Sequence, residues 1–329
     1  PHPEARQKKK KQVSDIRLCK HNLFTHFPKD PNCDVCKACK SQRARCQSCP
    51  ANKADKQVQP EKFADLITCD HGILNEEDAS RDDDQVACVI QDQHTHWIQG
   101  FPAPSKSAKE TVKAIEGFLG PQVKAKYAYT DNSKEFKKAF EDLAILHDTS
   151  TPHRPETNGV AERAMRRVNE GTSCTRIQSG PTQEWWVFAM ACYCCLRNLV
   201  DILVDGHTAY RKRFGTDFDG PLYPFGCEVQ YKPISQKDSS RCEKHGSKML
   251  PGIFLGYEIH AGGKWSKDLL VADWEDFQEA ELVSEVHVKR FKAEEVQAML
   301  RSNSNERSFR FPIAEGNHKQ PGGQPIGVV

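Results

Sequence analysis

The chain has 329 residues, 28% of them charged, with a mean hydropathy of −0.70 and a net charge of +2. That length exceeds the usual single core, so two or three domains are expected. The longest apolar stretch, residues 185–196, falls short of the roughly 20 residues that span a bilayer, and no apolar run follows Lys8 to Lys11, so neither membrane insertion nor a secretory signal is expected.

In chain order, residues 1–50 form a basic arm. Residues 1–62 hold 15 Lys/Arg against 6 Asp/Glu and the remainder 32 against 39, so the small net charge hides an asymmetry. Such an arm attracts a polyanion by counterion release, with a solvated tail as the plain alternative. Lys8 to Lys11 also fit a nuclear import signal. Fourteen cysteines without a secretory signal argue for reduced thiols and metal rather than a disulfide framework. His21, His26, Cys33 and Cys36 offer two imidazoles and two thiolates, the donor set of a closed Zn²⁺ site, and Cys33-x2-Cys36 clamps one ion. Cys39, Cys46 and Cys49 leave the choice of thiolates open, and reduced surface cysteines are the alternative to any metal. Residues 51–62 are polar without an apolar period and read as a linker.

From Phe63 the texture changes. Residues 63–70, 85–92 and 95–101 are expected as three strands of a meander, 105–120 as a helix stopped by Gly120-Pro121, 123–130 as a strand, 133–143 as a helix and 144–147 as a strand. Long helices follow over 158–178 and 182–200, with Trp185 and Trp186 as core aromatics and Cys192, Cys194 and Cys195 as packing residues. Strands wrapped by helices give an α/β layer over 63–214. Short strands over 227–231, 252–257, 269–273 and 284–288, set among Gly, Pro and Lys turns, predict a small β-barrel over 215–299. Residues 300–329 are polar and expected to be disordered. The start at Pro1 and the Gly/Pro-rich end suit a fragment or a cleavage product.

Three acids stand out by their settings: Asp70 after Leu-Ile-Thr-Cys, Asp131 after Tyr-Thr, and Glu162 in Asn-Gly-Val-Ala-Glu-Arg. Asp70 is expected at the end of the first strand, Asp131 just past the fourth and Glu162 in the first turn of a helix. Phosphoryl transfer on a polynucleotide needs the attacking and leaving oxygens neutralised together, which two Mg²⁺ or Mn²⁺ ions held by shared carboxylates can do. Arg163, Arg166 and Arg167 make a basic rim for a DNA backbone, with Lys134 and Asn158 close to the acids in sequence. A lone acid in this chain would usually cap a turn or sit in solvent. Asp65 competes for the first position.

The run from Thr130 to Phe136 and the run from Thr151 to Arg163, with Asn158-Gly159-Val160-Ala161-Glu162-Arg163 at its end, resemble the catalytic core of integrases of copia-type retrotransposons. The resemblance covers roughly residues 63–277. It implies a ribonuclease H-like core, strand transfer on DNA with Asp70, Asp131 and Glu162 as ligands of two Mg²⁺ or Mn²⁺ ions, and an N-terminal His-His-Cys-Cys zinc module. It also implies element ends and target DNA as partners, homo-oligomers on DNA, other Pol polyprotein products as companions, and a nuclear site of action after a cytoplasmic particle stage. Two features depart from the pattern. Ser133 stands where the family often has Gly, and the Asp131-to-Glu162 interval is short, as is the spacing within the zinc segment. Lys244, Lys248 and Lys264 would supply phosphate contacts from the barrel. Two other readings share these residues: a ribonuclease H-type nuclease, which would want more acids on its early helices, and a catalytically silent DNA-binding remnant.

Overall fold

The computed structural model describes residues 21–40, 59–150, 159–303 and 306–316. The expectations for Lys8 to Lys11, Cys46, Cys49, Asn158 and residues 317–329 lie outside them. A short helix α1 (Asp34–Cys39) belongs to the Cys/His segment. β1 (Ile67–Ile73), β2 (Val86–Asp92) and β3 (Ile98–Ala103) form the antiparallel meander. Then come α2 (Ala108–Leu119), β4 (Tyr127–Thr130), α3 (Lys134–Asp142) and β5 (Leu146–Thr149), followed by α4 (Gly159–Ser179) and α5 (Trp186–Val200). The sheet order is β3-β2-β1-β4-β5, with β4 parallel to both β1 and β5. This mixed five-stranded sheet covered by helices on both faces is the ribonuclease H-like architecture.

The period-2 alternation of strands decides what each face touches. On β2, Cys88 and Ile90 pack with Ile115 and Phe118 of α2 and Phe136 and Phe140 of α3, whereas Ala87 and Val89 pack with Met165 and Val168 of α4 and Met190 of α5. Every residue of β2 is buried, as expected of a strand covered on both faces. Ser107 and Ser133 cap α2 and α3 by accepting from the backbone N–H groups of Glu110 and Phe136. Ser133, the departure from the family pattern, is thus a helix cap. α4 and α5 approach closely at Gly171, where a Cβ would fall 2.0 Å from the Tyr193 ring.

Beyond α6 (Ala209–Phe214) lies a second sheet: β6 (Glu228–Tyr231), α7 (Gln236–Ser239), β7 (Leu250–Ile259), β8 (Trp265–Asp273), α8 (Trp274–Glu279), β9 (Val288–Lys292) and β10 (Val296–Ala298). Its order is β10-β6-β7-β8-β9, so the last strand returns beside the first, as in a small SH3-like barrel. This sheet shares a core with α5, where Trp185, Ala189, Cys192 and Leu196 pack with Phe254, Tyr257 and Phe277. Cys194 and Met190 on the opposite side of α5 belong to the first sheet's core. The apolar run at 185–196 is therefore a helix buried on two faces, and Cys192, Cys194 and Cys195 pack as expected. No helix among the described residues is long and apolar enough to cross a membrane.

Several boundaries differ from expectation. The first strand starts at Ile67 rather than at residue 63, because Ala64 takes a positive φ of 70° and Asp65 turns the chain by accepting from the N–H groups of Glu61 and Lys62. Residues 283–285 form a 3-10 turn that buries Val283, and the strand begins at Val288, because Val283 and Val286 are spaced by three and both enter the core. The described residues of 300–303 and 306–316 take defined structure where disorder was expected. β11 (Leu300–Asn303) and β12 (Glu306–Phe309) form a hairpin, and Ile313 is fully buried beside Phe311 against the second sheet.

Candidate active site

Asp70 lies in the middle of β1, not at its end. Its two edges stop at different residues: pairing with β4 ends at Cys69 opposite Thr130, while pairing with β2 runs on through Asp70, opposite Val89, to Ile73. On the β4 side, Asp70 and Asp131 are therefore the next residues after a paired position on neighbouring parallel strands. The expectation of a strand end holds for one edge only.

Glu162 comes in the first turn of α4, which crosses β1 closely enough that a Cβ on Gly72 would meet Met165 Sδ at 3.0 Å. Glu162 lies one turn before Met165 on that helical face, and Asp70 two residues before Gly72 on that strand face. The two offsets put the exposed Glu162 on the Asp70 side of that crossing, although among the described residues the three carboxylates do not gather into a close-set ligand group. Electrostatics agree: the Asp70 carboxyl is pushed up to about 6, first by burial and then by the negative charges of Asp131 and Glu162. The His71 N–H, donating to Asp70 Oδ1 at 2.9 Å, and the Lys106 ammonium pull the other way. Asp131 Oδ1 accepts weakly from the Ser133 N–H at 3.4 Å.

Asp65 is occupied elsewhere. It is buried, pairs with Lys126 Nζ at 2.7 Å, and its carboxyl is held down to about 2, chiefly by that lysine. Lys106, His71 and Glu135 were not singled out by sequence reasoning. Lys106 reaches the field of Asp70 and lies 3.9 Å from Glu135, while His71 stacks on Phe136 at 4.2 Å and shares a hydrogen bond with Thr111 Oγ1. Burial lowers the His71 imidazole to about 4. The only signal for Lys106 is its place just before a Ser-capped helix. Of the basic rim, Arg163 and Arg166 are exposed, Arg167 is half-buried and Lys134 is exposed at the start of α3. Lys248 instead donates to the Glu243 and Lys244 carbonyls at 2.5 and 2.8 Å, closing its own loop, whereas Lys244 and Lys264 are exposed.

The Cys/His segment, by contrast, does converge. One ligand atom each of His21, His26, Cys33 and Cys36 lies within 4.8 Å of all the others. A tetrahedral ion with bonds of about 2.0 to 2.3 Å spaces its donors by roughly 3.3 to 3.8 Å, so little movement would close the site on Zn²⁺. Hydrogen bonds choose the donor nitrogens. His21 Nδ1 donates to the Pro28 carbonyl at 2.8 Å, leaving Nε2 free. His26 Nε2 bonds Gln178 Oε1 of α4 at 2.6 Å, leaving Nδ1 at 3.6 Å from Cys33 Sγ. Burial holds the His26 imidazole down to about 4, keeping its lone pair available, and pushes the Cys36 thiol up. Cys39 is not part of the group and bonds Cys174 of α4 instead.

No protein-family model matches the chain. It is 28% identical over 232 residues to the retrovirus-related Pol polyprotein from transposon RE1 of Arabidopsis thaliana, covering 65% of this chain and 15% of that protein. It is 30% identical over 135 residues to the corresponding polyprotein from transposon 412 of Drosophila melanogaster, covering 39% of this chain and 11% of that protein. The chain therefore spans a small part of the curated relatives it matches. Among solved structures it is similar to the catalytic core domain of BIV integrase, with 18% identity, a TM-score of 0.34, and coverage of 45% of this chain and 92% of that one. It is also similar to the HTLV-2 integrase catalytic core domain in complex with magnesium, with 15% identity, a TM-score of 0.37, and coverage of 47% and 99%.

Proposed function

We propose, from the premise that this chain is a homologue of the Pol polyproteins of transposons, that it is their integrase segment, a polynucleotidyl transferase that trims DNA ends and joins their 3′ hydroxyls to target DNA. The observation that supports this reading is that Asp70 and Asp131 follow paired positions on neighbouring parallel strands, with Glu162 in the first turn of the helix that crosses β1 and its charge felt at Asp70, whose carboxyl is raised by burial and then by the two other acids. A cluster of like charges on a half-buried strand is unfavourable unless a cation neutralises it, so the donor set fits divalent metal. Asp70, Asp131 and Glu162 would hold two Mg²⁺ or Mn²⁺ ions, which when bound neutralise the oxygens attacking and leaving the phosphate. The protein's own part is positional: β1 and β4 fix two carboxylates through backbone pairing, and α4 fixes the third on a rigid helix. Arg163, Arg166, Arg167 and Lys134, with Asn158, would bind the DNA backbone.

His21, His26, Cys33 and Cys36 would hold one structural Zn²⁺ and anchor residues 21–40 to α4. The intended division is a zinc-bearing arm (1–50), a linker (51–62), a catalytic core (63–214) and a small barrel (215–299) that packs on α5. Homo-oligomers on two DNA ends, companion Pol products and a nuclear site of action complete the proposal. The test is joining of a labelled oligonucleotide end to a second duplex in Mg²⁺ or Mn²⁺. The wild type should join and Asp131→Asn should not. Joining that survives Asp131→Asn refutes the role of the acids, and a wild type that binds DNA without joining leaves the silent remnant.

A further inference from the structure

A cavity of about 600 Å³ opens between α4, the end of α5, the β2–β3 turn and the Cys/His segment, on a different side of α4 from Glu162. Three guanidinium groups line it: Arg163 and Arg167, one helical turn apart on α4, and Arg197 of α5. None of them has a carboxylate partner within 4.0 Å among the described residues. Arg197 is only 6% exposed, and its Nε and Nη1 have no hydrogen-bond partner. A buried guanidinium without a partner is costly and calls for an anion.

The cavity's own acids do not meet that call. Asp201 feels the charge of Arg197 but makes no ion pair with it within 4.0 Å: it accepts from Thr25 Oγ1 at 2.5 Å and Asn22 Nδ2 at 3.3 Å, and burial pushes its carboxyl up although Arg197, Thr25 and Asn22 pull it down. Asp205 pairs with Lys212 at 2.9 Å. Burial, then Arg197 itself, lowers the Arg167 guanidinium from its ordinary value, the mark of like charges crowded together. Opposite the arginines the wall is apolar and open: Phe27 is 44% exposed, Ile202 47% and Val204 97%. An anionic head beside a flat apolar body matches this lining, and the cavity falls within the range of about 300 to 1,000 Å³ usual for small-molecule sites.

We propose that this cavity is a nucleotide pocket, taking a phosphate on Arg163, Arg167 and Arg197 and the attached base against Phe27 and Ile202. Planar guanidinium forks grip phosphate oxygens in pairs, and an exposed aromatic ring stacks a base of any identity. The same chemistry comes from a free nucleotide or from one unit of a DNA strand. The strand-transferase reading supplies the strand, and the pocket rests on it only for that choice.

The test uses the whole zinc-loaded chain without added Mg²⁺ or Mn²⁺, titrated with dAMP, with inorganic phosphate and with a short fluorescent single strand. Binding of dAMP is expected to be tighter than that of phosphate, to weaken about tenfold or more in Arg167→Gln, and to fall to the phosphate level in Phe27→Ala. Should Arg167→Gln lose zinc or its fold, Arg167→Lys keeps the charge without the fork and is expected to bind dAMP less tightly than wild type. A strand that dAMP displaces and Arg167→Gln weakens identifies DNA as the source. A strand unaffected by either identifies a free nucleotide. Folded variants that bind dAMP as wild type does, or a wild type that binds none, overturn the pocket. Because no catalytic ion is present, that failure leaves the joining assay to judge the acids separately.

Discussion

Gly171→Ala tests whether the placing of Glu162 depends on how closely α4 approaches α5. The added Cβ would lie 2.0 to 2.4 Å from three carbons of the Tyr193 ring, which is 1% exposed and walled in by Val168 and Met190 in the same cluster. Ordinary carbon contacts are about 3.5 to 4.0 Å, so the helices must part by about 1.5 Å or the ring must leave its place. An overlap this deep falls in the upper part of the overpacking range, about 2 to 3 kcal/mol, against a gain of about 1 kcal/mol in helix propensity, for a net loss of about 1 to 2 kcal/mol. Glu162 sits nine residues earlier, about 13 Å along the same rigid helix, so part of the displacement reaches it. Misplacement by about 1 Å can cost on the order of 100-fold in rate. The measurements are urea unfolding and oligonucleotide joining, with Gly171→Ala/Tyr193→Ala as the double variant that restores room. Wild-type stability and joining in Gly171→Ala would refute the reasoning. Stability lost with joining intact would show that α4 pivots about Glu162 rather than carrying it away.

Three further outcomes follow from single contacts. Gln178→Leu removes the acceptor that fixes His26 Nδ1 towards Cys33, so zinc affinity, read by chelator competition, should fall about 10- to 100-fold; unchanged affinity would mean that the α4 contact does not orient the ligand. Asp273 is fully buried, accepts from Tyr231 Oη, from Arg241 Nη1 at 2.9 Å and from two N–H groups of α8, and Asp273→Asn should cost about 3 to 5 kcal/mol in denaturant unfolding. Burial raises its carboxyl, but the bonds from Tyr231 and Arg241 outweigh that and leave it lowered, so the wild-type advantage should be full above about pH 4 and shrink as the pH falls further; a gap that widens in acid would reverse the assignment. Ser133→Ala should cost about 1 kcal/mol and Ser133→Gly a few tenths, because glycine also tolerates the cap position; equal losses would deny the cap.

The acids stand out in the sequence because each carries its setting in adjacent residues: Thr130 before Asp131, Ala161 and Arg163 around Glu162. Asp70's position within its strand was not, since a strand whose two edges end at different residues looks the same in one dimension as a strand that simply ends. The four zinc-type ligands were legible by residue type, yet the exclusion of Cys39 came from Cys174 on α4, far away in sequence. The pairing of β11 with β12 and the turn after it were hidden by polar composition, although Phe309, Phe311 and Ile313 alternate by two and pack against the second sheet. Arg197 gave no signal at all: an arginine directly after the apolar run 185–196 reads as the end of that run until folding sets it beside Arg167.

α4 explains why these separate features belong to one site. Its first turn carries Glu162 towards β1, the neighbouring face carries Arg163 and Arg167 into the cavity, and its last turn holds His26 through Gln178. The acidic cluster and the arginine cluster are each electrostatically incomplete in the protein alone, one lacking cations and the other an anion. In the proposed function, a phosphodiester strand with its divalent counter-ions would supply both. Because one helix fixes the distance between the two clusters, the strand's path relative to the acids is set by backbone geometry rather than by flexible side chains. Glu162 and Arg163 are adjacent exposed residues of opposite charge on two sides of α4, an arrangement that packing alone does not call for. It suits a helix that positions a charged polymer.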